Sequence, residues 1–216
     1  MSKIRLAFSL LFISSGAFAQ FISDAATGRP FYQASDPTIA GVSFYNKEWN
    51  AGVIRTTRGV EYNNLQLKYD IYTKVLVFHV KDSMYQFTEP VKEFELNMDS
   101  KKVARFINSS LVHNLLPGDF VQELVKGKLH FFKHYKKVIV EIAAYNSVNG
   151  TKQFEDKNTF YVIRDNNLLE VNLNKKNLEE KLKDKWPEVS SYMEKNQLSA
   201  KNEAGWVAAI QYYNGL

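Results

Sequence analysis

Leu65-Gln66-Leu67-Lys68-Tyr69-Asp70-Ile71 decides the fold, because its apolar residues fall on every second position with a polar one between each pair. A period of two buries one face of a strand and wets the other. The next stretch, Lys74-Val75-Leu76-Val77-Phe78-His79-Val80, is apolar on both faces and belongs deeper in the sheet. Alternation returns at Tyr85 and Phe87 and again at Phe94 and Leu96. The breaks are short and turn-like: Arg58-Gly59, Asn63-Asn64, Lys81-Asp82-Ser83 and Glu89-Pro90. Parallel crossovers need a dozen or more residues, so gaps of this length predict antiparallel hairpins.

Further along, Val103 to Ile107 reads as a strand and Leu111 to Gly118 as a loop closed by Pro117-Gly118. In residues 119–144, Phe120, Val121, Leu124 and Val125 fit a helix face, but Gly127 and the β-branched and aromatic content favour two strands. Asn149-Gly150 signals a turn. Phe160 to Arg164 and Asn167 to Val171 form a hairpin around Asp165-Asn166.

After Leu173 the period changes. Leu178, Leu182, Trp186, Val189 and Met193 recur every three or four residues, as do Trp206, Ile210 and Tyr213. Asn174 is suited to cap the first helix, and Pro187 to open a second, since proline is tolerated in a first turn. The expected fold is therefore α+β: a mainly antiparallel β-sheet (a meander, roll or partial barrel) over residues 38–172, then a helical segment over 173–216 packed on the same domain.

Residues 20–37 are small, polar and turn-forming, and read as a loosely ordered arm pinned by Phe31 and Tyr32. Residues 1–19 differ again. Lys3 and Arg5 precede an apolar run from Leu6 to Ser15, and Ala17-Phe18-Ala19 ends it on small residues. This is the pattern of a secretory signal peptide cleaved between Ala19 and Gln20. The run is shorter than the ~20 apolar residues that span a bilayer. Gln20 stands where a lipoprotein needs cysteine. The expectation is a soluble exported protein, periplasmic or extracellular, with no transmembrane segment in the mature chain.

The segment removed carries two basic residues and no acid, so the net charge falls from +5 to +3 and is spread along the chain. No nucleic-acid partner is implied. The chain has no cysteine, which excludes disulfides, thiolate metal sites and thiol nucleophiles. At 45% hydrophobic and 14% aromatic, it has apolar surface enough to fold without such staples.

Motifs for chemistry are sparse. There is no G-x-S-x-G, no H-E-x-x-H, no EF-hand loop and no phosphate-cradling glycine motif. His130 and His134 would share a helix face, but on a strand they lie about 13 Å apart at ~3.3 Å per residue. That is too far for one zinc with bonds near 2.0–2.1 Å. Alternating with Lys128, Phe132 and Lys136, they read as a solvated basic face. His79, between Phe78 and Val80, reads as a partly buried histidine rather than a ligand. Glu93 and Glu95 read as the solvated side of a strand. Tyr69, Tyr72, Phe78, Tyr85, Phe87 and Phe94 read chiefly as core, although exposed aromatics stack on sugars or grip lipids. The Lys175 to Lys185 stretch reads as a water-facing helix side with an i, i+4 pair between Glu179 and Lys183. Asn108 and Asn149 fit the N-glycosylation pattern. No catalytic, metal or cofactor residue is assigned.

Three segments together resemble uncharacterised exported proteins of Bacteroidetes-type bacteria: Asn64 to Tyr72, Gly118 to Leu129, and Ile210-Gln211-Tyr212-Tyr213-Asn214. The resemblance implies a periplasmic or envelope location and carries over no catalytic residue. The leading expectation is a non-catalytic binding or interaction protein with an envelope protein as partner. The alternative is a carrier or sensor of a small apolar ligand or lipid between curved sheet and helices, and behind it a hydrolase of envelope polymers.

Overall fold

In the computed structural model, residues 28–32, 36, 38–98, 102–114, 116, 118–142 and 150–216 are described. The signal segment and the Ala19/Gln20 cleavage site lie outside them, as does Asn149. The strands are β1 (Gly28–Pro30), β2 (Ile39–Ala40), β3 (Asn50–Thr56), β4 (Glu61–Asp70), β5 (Val75–Val80), β6 (Ser83–Phe87) and β7 (Val91–Asn97). They continue with β8 (Val103–Asn108), β9 (Phe120–Val125), β10 (His130–His134), β11 (Lys137–Ile142), β12 (Thr151–Asp156), β13 (Thr159–Arg164) and β14 (Asn167–Val171). Three helices follow: α1 (Lys175–Lys181), α2 (Trp186–Lys195) and α3 (Glu203–Gly215).

Eleven strands form one open antiparallel sheet in the order β1-β6-β5-β4-β3-β7-β8-β9-β10-β13-β14. The α+β architecture is as expected: a curled meander, not closed into a barrel, with helices after it. Register fixes two faces. Ile54, Leu67, Tyr69, Phe78, Phe94, Leu96 and Phe106 lie on the inner face and build a buried, mostly aromatic core. Phe94 stacks on Phe106 with centroids 4.8 Å apart, and Tyr69 leans on both rings. Val77 is buried on the opposite face of β5, so the doubly apolar reading of that strand holds.

The helices cover the inner face of β9, β10, β13 and β14. Phe131, Val162 and Val171 meet Leu178, Leu182, Val189, Trp206 and Ile210 in a second core. Asn174 caps α1 through Asn177 N–H and Asn202 caps α3 through Gly205 N–H. Pro187 sits in the first turn of α2. The side-chain amide of Asn214 donates to Leu129 O and accepts from Leu129 N–H, both at 2.9 Å. Helix α3 is thus tied to the β9–β10 turn as a strand neighbour would be.

Three expectations need correction, and a small second sheet adds to the mainly antiparallel architecture. Asn63-Asn64 is not a break: β4 runs through it, with Asn64 at φ 58° opposite the register shift between Gly52 and Ile54. Asparagine tolerates this left-handed conformation, and the bulge keeps Tyr62 and Leu67 on the same core. The described part of residues 119–144 holds three strands rather than two. Within the described part of the arm, Gly28–Pro30 form an edge strand, β1 on β6, rather than loose chain, and Phe31 packs edge-on against Phe44, whereas Tyr32 is exposed and pins nothing. Finally, β11, β12 and β2 form a separate small sheet in which β12 and β2 pair in parallel. More than a hundred residues separate those two strands, so no hairpin constrains their direction. The Asp165-Asn166 hairpin is as read, with both residues at positive φ (50° and 60°) as a two-residue turn of this hand requires.

Gly52 sits where β3 passes closest to its neighbours. A Cβ there would lie 2.3 Å from Glu95 O and 2.7 Å from a Leu67 methyl. Gly52→Ala is expected to destabilise by about 1–3 kcal/mol through overpacking, read as a lower urea midpoint. An unchanged midpoint would show that the strands separate freely.

Candidate functional site

Among the described residues, chemistry-bearing groups or open space meet at several places, and three of these hold residues singled out in the sequence. The first is at the end of β10. His134 is buried, and its Nε2 lies 2.8 Å from Asp119 Oδ2. Lys74, from the β4–β5 turn, places Nζ 2.8 Å from the same oxygen and donates to Tyr135 O at 2.7 Å. Burial alone would raise the Asp119 carboxyl pKa, but hydrogen bonds from His134 and Lys74 outweigh it and hold it below its ordinary value. The cluster ties the β4–β5 turn to the start of β9 and the end of β10. A His–Asp pair has the makings of proton transfer, yet this one is closed from solvent. The expected solvated basic face is therefore wrong for β10. Only Lys128 and Lys136, beyond the strand ends, are exposed, whereas Phe132 and His134 are buried with Val121 against the outer face.

The second place is an ion-pair ladder across the outer face. Arg55 bonds Glu61 at 2.7 Å, Glu93 at 3.1 Å and Glu95 at 2.9 Å. Arg105 bonds Glu93 at 2.6 Å and also Glu123, whose other oxygen lies 3.7 Å from His130 Nδ1. Glu93 is buried rather than solvated, because β3 and β8 each bring an arginine across the register to it. Burial raises its pKa, but Arg105 and Arg55 hold the net value below the ordinary one. Beside the ladder, Ile107, Leu111, Val112, Phe132 and Ile163 border a groove of about 390 Å³. The charged groups lining it are largely committed to one another.

The third place is a cleft where β2, residues 41–43, the β4–β5 turn, β11 and β12 meet. Its volume is about 190 Å³. Residues 43–45 run beside the end of β4, with Tyr45 N–H bonding Tyr69 O and Ile71 N–H bonding Ser43 O. This forms the floor. Asp70 is only 3% exposed. Its Oδ1 accepts from Tyr72 N–H and Thr73 N–H, and its Oδ2 from the Ser43 hydroxyl at 3.1 Å. Phe31, Ile39, Ile139 and Phe154 wall the cleft. Tyr72 leans on Phe154 with centroids 5.4 Å apart at 62°, yet stays 45% exposed, and Tyr32 is 85% exposed. Of the six aromatics singled out in the sequence, Tyr69, Phe78, Phe87 and Phe94 are core and Tyr85 is half-buried against it; Tyr72 is the exposed one, on a turn rather than a strand.

The remaining expectations have plain outcomes. His79 is half-buried against Trp49, with Nδ1 3.2 Å from Lys81 O. Lys175 to Lys185 does face water, but α1 ends at Lys181, which takes Lys183 out of register with Glu179. The pairs there are Lys181–Glu180 and Lys185–Glu188 instead. Asn108 Nδ2 is engaged with Val91 O at 3.1 Å, so it is not a free glycosylation acceptor. Among the described residues no helix is long and apolar enough to cross a membrane, and no cluster of three or more His, Asp or Glu could hold a metal. Compared with protein-family models, with curated proteins and with solved structures, the chain has no match in any of the three.

Proposed function

We propose that this chain is an exported, non-catalytic binding module of the cell envelope, and that the aromatic cleft is its ligand site. The observation that carries the reading is a contrast. The charged groups of the ladder and of the Asp119 cluster are bonded to one another, apart from the buried and unpartnered Asp119 Oδ1, whereas the cleft keeps a tyrosine of the β4–β5 turn open to solvent above a buried carboxylate. The described lining of the cleft contains no histidine, lysine or arginine, and its one serine donates to Asp70. A nucleophile there would have no imidazole to activate it.

Size favours a ring over a chain. A cavity of ~150 Å³ holds benzene, and pockets for drug-sized ligands start near ~300 Å³. The cleft, at about 190 Å³, suits one ring-sized group. The space between sheet and helices, where a lipid carrier would hold its cargo, is filled by Phe131, Trp206, Leu178 and Ile210.

The reading is tested by saturation-transfer NMR with ring-sized sugars, aromatics and organic ammonium ions. At least one class is expected to bind, with the signal lost in Tyr72→Ala/Phe154→Ala. Binding that survives the double substitution, or no binding by any class, overturns it. Export is tested separately: the protein recovered from the producing cell's envelope should begin at Gln20 on N-terminal sequencing, and a start at Met1 would contradict it.

A further inference from the structure

We propose that the ligand of the cleft is a small organic cation, an ammonium head carrying methyl or methylene groups, of the kind that choline presents. This rests on the reading of the cleft as the binding site and adds the charge of what enters it. The charged residues lining it are Asp36 and Asp70, and both are acidic. Among the described residues no lysine, arginine or histidine nitrogen lies within 4 Å of either carboxylate; the cations found in ion pairs serve other partners. Lys152 acts on Asp36 only at longer range, and Lys68 is spent over the rings of Phe44 (5.2 Å) and Trp49 (4.8 Å).

Asp70 is therefore a buried carboxylate held by three hydrogen bonds and no counter-charge. Burying a carboxylate is costly, and a cation is the partner that best offsets the cost. The walls act in the same sense. An aromatic ring is negative on its face, and an alkylated ammonium, weakly hydrated, is drawn to such faces. Phe31, Tyr32, Tyr72 and Phe154 line the cleft together with a buried Asp70 and an exposed Asp36, whose Oδ1 accepts from Thr38 and whose Oδ2 has no cation beside it among the described residues. A neutral sugar would gain from the rings but nothing from the charge, so charge and π faces together select a cation.

Isothermal titration of residues 20–216 with choline chloride, with its neutral isostere 3,3-dimethylbutan-1-ol and with glucose, at constant ionic strength, tests this. Choline is expected to bind at millimolar concentration or tighter and at least tenfold more tightly than the isostere. Tyr72→Ala and Asp36→Asn, both at exposed positions that leave the core intact, should each weaken choline about tenfold. Equal binding of choline and isostere, or no effect of Asp36→Asn, overturns the proposal. Glucose or isostere binding in a Tyr72-dependent way without choline binding removes the cation and leaves the binding reading standing. No binding by any of the three removes the cation and counts against the cleft itself.

Discussion

Trp206→Ala is expected to lower the unfolding free energy by about 3–5 kcal/mol, the range for removing a large aromatic from a filled core. The indole is fully buried, stacks on Phe131 with centroids 5.6 Å apart and donates its ring N–H to Ala200 O at 2.8 Å. It thus joins three parts of the second core: strand β10, helix α3 and the segment before α3. Alanine would leave a cavity and remove the Ala200 carbonyl's indole partner. Because the chain has no disulfide to hold the tail, the helices should loosen first. Urea denaturation followed by helix circular dichroism should show the lower midpoint, and amide exchange should rise across α1, α2 and α3. A loss below about 1 kcal/mol would mean that the helices are not fastened by this side chain.

Asp119→Asn is expected to cost about 3 kcal/mol at pH 7, because it leaves a buried His134 and a half-buried Lys74 without their shared carboxylate. The pH dependence separates this from a packing effect. The carboxyl pKa of Asp119 is held below its ordinary value in the folded chain. Its contribution is therefore present above the unfolded value of about 3.9 and is lost as pH falls through the folded one. The gap between wild type and Asp119→Asn should be widest near neutrality and narrow steadily below about pH 4. A gap that stays constant from pH 7 to pH 3 would assign the loss to packing instead. Lys74→Met, which keeps the stem but not the charge, should reproduce part of the cost.

Local period made the strands and the helical tail legible. Leu65 to Ile71 alternates because one face of β4 meets the aromatic core, and Trp206, Ile210 and Tyr213 repeat because α3 lies along the sheet. The Asp165-Asn166 turn was legible because it needs two residues that accept positive φ. The bulge at Asn64 was not, because the same residue pair serves equally as a turn or as a bulge, and only the partner strand decides. The register of β9 against β10 was hidden for a similar reason. A shift between Phe131 and Phe132 decides that His134 comes within reach of Asp119 rather than of water. Spacing along β10 disposes of a shared metal for His130 and His134 but says nothing of a partner fifteen residues upstream.

The cleft left almost no local trace. Its walls come from Phe31, Ile39, Tyr72, Ile139 and Phe154, brought together by the parallel pairing of β2 with β12 and by the turn after β4. The one hint in the sequence is Tyr72 itself, an aromatic that follows Asp70-Ile71 where the strand pattern stops. Asp70 looked like the polar position of an alternating strand. It is instead a buried acceptor that shapes the turn and lies under the cleft.

On the proposed function, the protein binds at this cleft and at neither the Asp119 cluster nor the groove beside the ion-pair ladder. Amide chemical-shift mapping of residues 20–216 with saturating choline tests it most directly. Shifts confined to Gly41, Val42, Ser43, Tyr72, Thr73, Ile139 and Phe154 are the predicted result. Shifts centred instead on Ile107, Leu111, Val112 and His130 would contradict it and move the site to the outer face.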